Sequence, residues 1–293
     1  MKSLDEAING KWDKNFPKAI QIETTSRCNA RCNFCPYPET SRLFESGTMN
    51  DDLFDKVVSE LSEFQPLVVA PYLNNEPLLD RKLAERIKQI RRLLPRTHID
   101  LSTNGAALTE KVGLQLLDPE LGIDEIKINF PSTDPIEYGR IMGLDYGRTL
   151  ANVLRFTGQA KEMGFTGRLR VIIVTSSAPE EDLDFWKQEE IEAKVYQKIS
   201  RGGIIQTEHA PKSRVVGCKY DREKEWLHVL HTGEVILCCM DWYRQHILGD
   251  LRKDCIADIW QNERYRNIRA QIRDSADKEF ICNKCEWSKP YEK

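Results

Sequence analysis

Three cysteines stand close together early in the chain, in the stretch Cys28-Asn-Ala-Arg-Cys32-Asn-Phe-Cys35. Thiolates are soft ligands, and three on one short C-x3-C-x2-C loop can bind three irons of a [4Fe–4S] cube. The fourth iron is then left without a protein ligand, and an open metal position is what catalysis needs. A structural zinc knuckle would want a fourth ligand, and no other Cys or His lies nearby; the first histidine is His98. Six more cysteines follow: Cys218, Cys238, Cys239, Cys255, Cys282 and Cys285. Nine is an odd number, so complete disulfide pairing is impossible, and metal ligation is the leading explanation.

Strand-like apolar runs fall at Ala19–Thr25, Leu67–Leu73, His98–Thr103, Glu125–Phe130, Leu169–Thr175 and Lys194–Ile199. Helical patterns separate them at about Asp51–Phe64, Arg81–Leu94, Glu110–Leu117, Thr149–Met163 and Glu181–Glu190. Six such units predict an α/β fold with a parallel sheet, closer to a curved, partial (β/α)6 barrel than to a closed eight-stranded one. Catalytic residues then belong at the C-terminal ends of the strands. The cysteine loop follows the first strand, Asn74-Asn75-Glu76-Pro77 the second and Ser102-Thr103-Asn104-Gly105 the third. After Gly203 the texture changes to a β-hairpin, Trp226–His231 and Glu234–Met240 about a Thr232-Gly233 turn, and then a helix from Ile256 to about Ile272. The expected division is a core over 1–203 and a small α+β unit over 204–293.

The C-x3-C-x-aromatic-C loop, followed in order by the two later segments, resembles the radical S-adenosylmethionine (SAM) superfamily over roughly residues 18–200. The resemblance implies a catalytic cluster on Cys28, Cys32 and Cys35, with SAM chelating the open iron and Phe34 against the adenine. Asn74, Asn75 and Glu76 stand where that family usually has Gly-Gly-Glu, and they would contact the SAM amino group. Ser102, Thr103 and Asn104 would lie near the ribose. The implied chemistry is reductive cleavage of SAM to a 5′-deoxyadenosyl radical that abstracts hydrogen from a C–H bond.

The C-terminal region is similar to the twitch domain, the shortened SPASM domain. Gly233-x4-Cys238, the Cys282-x2-Cys285 pair, Leu248-Gly249-Asp250-Leu251 and Ile259-Trp260 carry that likeness. It implies an auxiliary [4Fe–4S] cluster on Cys218, Cys238, Cys282 and Cys285. Eight residues follow Cys285 and none is Cys, so one auxiliary cluster is expected. On a strand, neighbouring side chains point to opposite faces, which turns Cys239 away from Cys238. Cys239 and Cys255 remain as unligated thiols, either packed or catalytic.

A radical SAM core with one twitch cluster resembles dehydrogenases that oxidise an aminocyclitol in aminoglycoside biosynthesis, and also carbohydrate epimerases and some peptide-modifying enzymes. The expected substrate is a small sugar- or cyclitol-like alcohol oxidised to a ketone. Epimerisation, with Cys239 or Cys255 returning a hydrogen atom, is the alternative. A peptide substrate is possible, although some twenty residues before the first strand are too few for a leader-recognition domain. Arg201 follows the last core strand and is expected at the barrel mouth, bonded to a substrate hydroxyl or anionic group. A reductant such as flavodoxin or ferredoxin would be a partner.

Charge excludes other classes. Lys plus Arg is 43 and Asp plus Glu 46, for a net charge of −3, which does not favour a nucleic-acid partner. Arg264, Arg266, Arg269 and Arg273 recur at helical spacing and read as a solvated face. No apolar run approaches the ~20 residues of a membrane span, and the N-terminus lacks the apolar core of a signal peptide. A cytoplasmic protein is expected.

Overall fold

The computed structural model describes residues 4–291. Six strands, β1 (Ala19–Ile22), β2 (Val68–Ala70), β3 (His98–Thr103), β4 (Glu125–Asn129), β5 (Arg168–Val174) and β6 (Glu192–Tyr196), lie parallel in chain order. Helices at Asp51–Phe64, Leu83–Leu93, Glu110–Leu116, Tyr146–Glu162 and Pro179–Gln188 connect them. This is the partial α/β barrel the apolar pattern predicts.

Period-two alternation decides what each strand presents. Ile20, Ile22, Ile99, Leu101, Ile126, Ile128, Val171 and Ile173 share one core with the helix residues Val57, Leu61, Ile87, Ile90, Val153 and Phe156. The intervening residues form the inner wall, and many are polar: Gln21, Asp100, Ser102, Lys127, Asn129 and Arg170, beside the apolar Ala19, Val68, Ala70 and Ile172. Packing between sheet and helices is therefore apolar, while the barrel interior suits a polar guest.

The sheet continues beyond residue 203. Of the later strands, β7 (Val215–Cys218) stands apart and pairs with β11 (Ser288–Pro290). Strand β8 (Trp226–Val229) lies parallel to β1, with Ala19 opposite Trp226 and Gln21 opposite His228. β9 (Glu234–Ile236) and β10 (Ile247–Asp250) then extend it antiparallel, making nine strands. The expected hairpin is present, and it covers the otherwise open edge of β1. The helix expected over Ile256–Ile272 is two, Ile256–Gln261 and Glu263–Arg273. Asn262 separates them in extended backbone, and its side chain caps the second by accepting from Tyr265 N at 2.8 Å.

Besides single helical turns such as Tyr37–Thr40, the helix Pro135–Met142 is not among the expected elements. It is short, and Gly139 interrupts its pattern. Asp134 caps it by accepting from Glu137 N, and Pro135 occupies its first position. Among the described residues no helix is long and apolar enough to cross a membrane.

Candidate active site and iron–sulfur sites

The cysteine loop leaves the C-terminal end of β1 and is held from three sides. Arg31 N and Asn33 N donate to Met142 O and Ile141 O, at the end of the unexpected helix, at 2.8 and 2.9 Å. Glu76 N donates to Arg27 O at 2.9 Å, and Asn104 Nδ2 to Asn29 Oδ1 at 2.8 Å. Cys28 N donates to the Tyr37 hydroxyl at 2.7 Å. Loops at the ends of β1, β2 and β3 are thereby locked together, which the order of the sequence segments required but could not itself demonstrate.

Glu76 is the hub of this arrangement. It is 2% exposed. Its carboxylate accepts from Thr103 Oγ1 at 2.6 Å, Asn104 N at 2.7 Å and Leu78 N at 3.1 Å. Burial pushes its pKa up to about 7, against the downward pull of those three bonds. A neighbouring ammonium group would favour the carboxylate, as the proposed SAM contact requires. Glu76→Ala is expected to weaken SAM binding about 10- to 100-fold, the worth of a charge-assisted hydrogen bond, with iron content unchanged. Because protonation removes the charge, affinity should rise as pH climbs through about 7 and stay flat in Glu76→Gln. Isothermal titration across that range checks both expectations.

All the residues expected at the SAM site face one cavity of ≈ 300 Å³. Cys28, Cys32, Cys35 and Phe34 form one side; Asn74, Asn75, Glu76, Ser102, Thr103 and Asn104 line it from the ends of β2 and β3. Gln21, Tyr72 and Asn129 supply the inner wall. Arg201 reaches the same cavity from beyond β6, with a buried Nε that has no hydrogen-bond partner. Its charge acts on Cys35 and Cys32, lowering their thiol pKa values against the effect of burial. Arg201 sits at φ 51°, and Gly202 and Gly203 follow at φ 72° and 88°. A Cβ on Gly202 would meet Ile281 Cγ1 at 2.8 Å, so this left-handed turn packs directly on the second cysteine region.

That second region gathers Cys218, Cys238, Cys239, Cys282 and Cys285 around one small cavity. Cys218 ends β7, opposite Ser288 of β11. Cys282 and Cys285 flank a helical turn, with Cys285 N donating to Cys282 O at 3.3 Å. Strand alternation does not extend as far as Cys239. β9 ends at Ile236, and Cys238-Cys239 continue into a turn, so their side chains are not forced to opposite faces. Cys239 borders both cavities. Cys255 lies elsewhere. It caps helix Ile256–Gln261, its sulfur accepting from Asp258 N at 3.4 Å, and it borders neither cavity.

The donor sets fit iron–sulfur clusters. Burial raises the Cys28 thiol to about 12, and lifts Cys32 further with repulsion from Cys35 and Cys28. Cys285 is likewise raised to about 12, and burial with neighbouring thiols lifts Cys238 and Cys282 well above the ordinary range. Thiolates crowded out of water are what a polycationic iron core relieves. Cys28, Cys32 and Cys35 would hold the cluster with an open iron. Cys218, Cys282 and Cys285 with one of the two adjacent thiols would hold the closed one.

This chain belongs to the radical SAM superfamily, whose model matches residues 22–187. A second model, the SPASM iron–sulfur cluster-binding domain, matches residues 218–286. Among curated proteins, the chain is 24% identical over 275 residues to the S-adenosyl-L-methionine-dependent 2-deoxy-scyllo-inosamine dehydrogenase of Niallia circulans, covering 93% of this chain and 94% of that one. It is 29% identical over 169 residues to the GTP 3′,8-cyclase of Aquifex aeolicus, covering 57% of this chain and 51% of that protein. The crystal structure of BtrN in complex with AdoMet and 2-DOIA superposes with a TM-score of 0.62 at 21% identity, over 92% of each chain. That of Streptococcus suis SuiB bound to the precursor peptide SuiA gives 0.68 at 13% identity, over 92% of this chain and 71% of that one. The family brings a SAM-binding [4Fe–4S] cluster, SAM itself and an auxiliary iron–sulfur cluster.

Sequence reasoning did not find Gln21, Tyr72, Asn129, Arg222, Trp242 or Trp287, all of which line the main cavity. Gln21 was legible as the polar position of the otherwise apolar β1. Arg222, at the start of the helical turn Arg222–Glu225, and Trp287, in a turn before β11, are about 65 residues apart and had no local signal.

Proposed function

We propose that this protein oxidises a secondary alcohol of a small cyclitol- or sugar-like substrate, using SAM at the first cluster and the auxiliary cluster as acceptor of the second electron. The observation that carries this reading is the continuity of the two sites. The SAM-side cavity has the first three cysteines on one wall, while Cys239, Arg222, Met240 and Trp287 on its other wall also border the auxiliary cavity. A substrate held there lies between a hydrogen-abstracting centre and an electron acceptor. The cofactors supply the abstraction; the chain binds, orients and excludes water.

The polar inner wall suits a hydroxylated guest, and ≈ 300 Å³ lies at the lower end of small-ligand sites. That favours a small molecule over a peptide segment, and the dehydrogenase relative is named for such a substrate. Arg201 would bind a substrate hydroxyl or anionic group, and Arg201→Ala should raise KM about 10-fold or more with both clusters intact. In this reading residues 1–203 carry the radical chemistry and 204–293 the auxiliary cluster. The protein works in the cytoplasm with a flavodoxin- or ferredoxin-type reductant.

Cys239 favours one second reading. A thiol on the cavity wall can return a hydrogen atom to a substrate radical, which would make the protein an epimerase. An assay in deuterated water with 2-deoxy-scyllo-inosamine as probe separates the two. Oxidation is expected to give a ketone, one SAM consumed per product, from both wild type and Cys239→Ser. A deuterium-bearing isomer that disappears in Cys239→Ser would overturn oxidation.

A further inference from the structure

The inner wall of the barrel carries a run of buried titratable side chains that reaches the main cavity only at Tyr72. Tyr72 lines the main cavity, and its hydroxyl donates to Asp100 Oδ2 at 2.6 Å. Lys127 Nζ donates to the same oxygen at 2.7 Å. Asp100 is 1% exposed, and its other carboxylate oxygen has no hydrogen-bond partner. His98 lies two residues earlier on β3, buried, with Nε2 unpartnered. Donor atoms of His98, Asp100 and Glu125 fall within 4.8 Å of one another, a separation that a water molecule can bridge. Lys127 and Arg170 already balance Asp100 and Glu125. An added metal cation would meet an electrostatically neutral cluster, so proton chemistry suits it better than metal binding.

Oxidation of an alcohol removes a hydrogen atom, an electron and a proton. In the dehydrogenase reading the cofactors would supply acceptors for the hydrogen atom and the electron; the proton requires a base. Arg201 and Arg222 stay charged and cannot accept it. Glu76, the one carboxylate on the cavity wall, is committed to Thr103, Asn104 and Leu78. Tyr72 is the wall residue whose hydroxyl donates to a carboxylate behind it.

We propose that Tyr72, Asp100 and His98 form the proton exit of this reaction, a role that rests on the dehydrogenase reading above. The substrate O–H proton passes to the Tyr72 oxygen as the Tyr72 proton passes to Asp100, and Asp100 hands a proton on to His98. One proton leaves the substrate and one arrives at the imidazole; the C–O bond gains its second bond as the electron departs. Tyr72 is the catalytic residue, Asp100 and His98 form the relay, and Lys127 is a positioning residue. Burial lowers the His98 pKa, keeping the ring neutral and able to accept; Asp124, Asp100 and Glu125 favour its charged form once the proton arrives, and Lys127 opposes it.

The test uses enzyme reconstituted with both clusters and 2-deoxy-scyllo-inosamine deuterated at the oxidised carbon. Wild type should yield ketone and deuterated 5′-deoxyadenosine in equal amounts. Tyr72→Phe should slow ketone formation about 100-fold, a typical loss for one proton-transfer group, while deuterium still reaches 5′-deoxyadenosine. The paired variant Asp100→Asn with Lys127→Met, which avoids stranding a buried ammonium, should do the same. Since a base must be unprotonated to act, the wild-type rate should fall at low pH, and His98→Gln should abolish that limb. Unchanged product ratio and pH profile in Tyr72→Phe would overturn the relay alone. Absence of ketone from wild type would overturn the dehydrogenase reading, and the relay with it.

Discussion

Replacing Cys28, Cys32 and Cys35 with alanine is expected to cut the iron content from about eight to about four per chain and to abolish 5′-deoxyadenosine formation. The loss should be total, because these three thiols face the same cavity as Glu76, Thr103 and Asn104, and no other cysteine on that side could replace them. Cys239 borders the cavity as well, but it belongs to the opposite wall and to the other thiol cluster. The loop is tied to Met142, Glu76 and Asn104 through Arg31, Arg27 and Asn29, none of which changes in the triple variant. The fold should therefore survive, with an unaltered circular dichroism spectrum. Iron assay and chromatography of the SAM products check the expectation. Persistent 5′-deoxyadenosine in the triple variant would remove the catalytic role from this loop.

The mirror experiment has the second largest effect. Cys282→Ala with Cys285→Ala should also leave about four irons, yet SAM cleavage should continue while product formation stops. The separation follows from geometry. Cys282 and Cys285 line only the auxiliary cavity, and the SAM-side residues do not depend on them. Single variants then decide between the adjacent thiols. Cys239→Ser is expected to keep about eight irons if Cys238 is the ligand, as the Gly233-x4-Cys238 spacing implies. Loss of the auxiliary signal in Cys239→Ser, measured by electron paramagnetic resonance, would give the ligand role to Cys239 instead.

Much of this site was legible because its signals are local. The C-x3-C-x2-C spacing is set by the reach of one loop around one cluster, and the strand pattern before each segment placed all three segments at the same end of the sheet. Phe34, Glu76, Thr103 and Asn104 share one cavity for that reason. Cys239 does border the main cavity, but period-two alternation is not what places it there, since alternation holds only while the backbone is extended and β9 stops at Ile236. The eight-residue helix Pro135–Met142 escaped because its Gly139 interrupts the apolar repeat, yet its C-terminus carries the hydrogen bonds that hold the cysteine loop.

By itself the sequence determined the ligand chemistry, the repeating strand–helix order and the partial barrel, because thiol spacing and hydrophobic period act over a few residues. Only the tertiary structure decided that β8 closes the edge of β1, bringing residues more than two hundred apart into register. It also decided that Arg201, Arg222 and Trp287 share one cavity with the SAM-side residues, and that Tyr72, Asp100, His98 and Lys127 meet inside the barrel. Those contacts join different strands and loops, and the residues carry no periodic mark of their neighbours. Their meeting is fixed by sheet register and by the packing of the C-terminal region on the core, which no short window of sequence encodes.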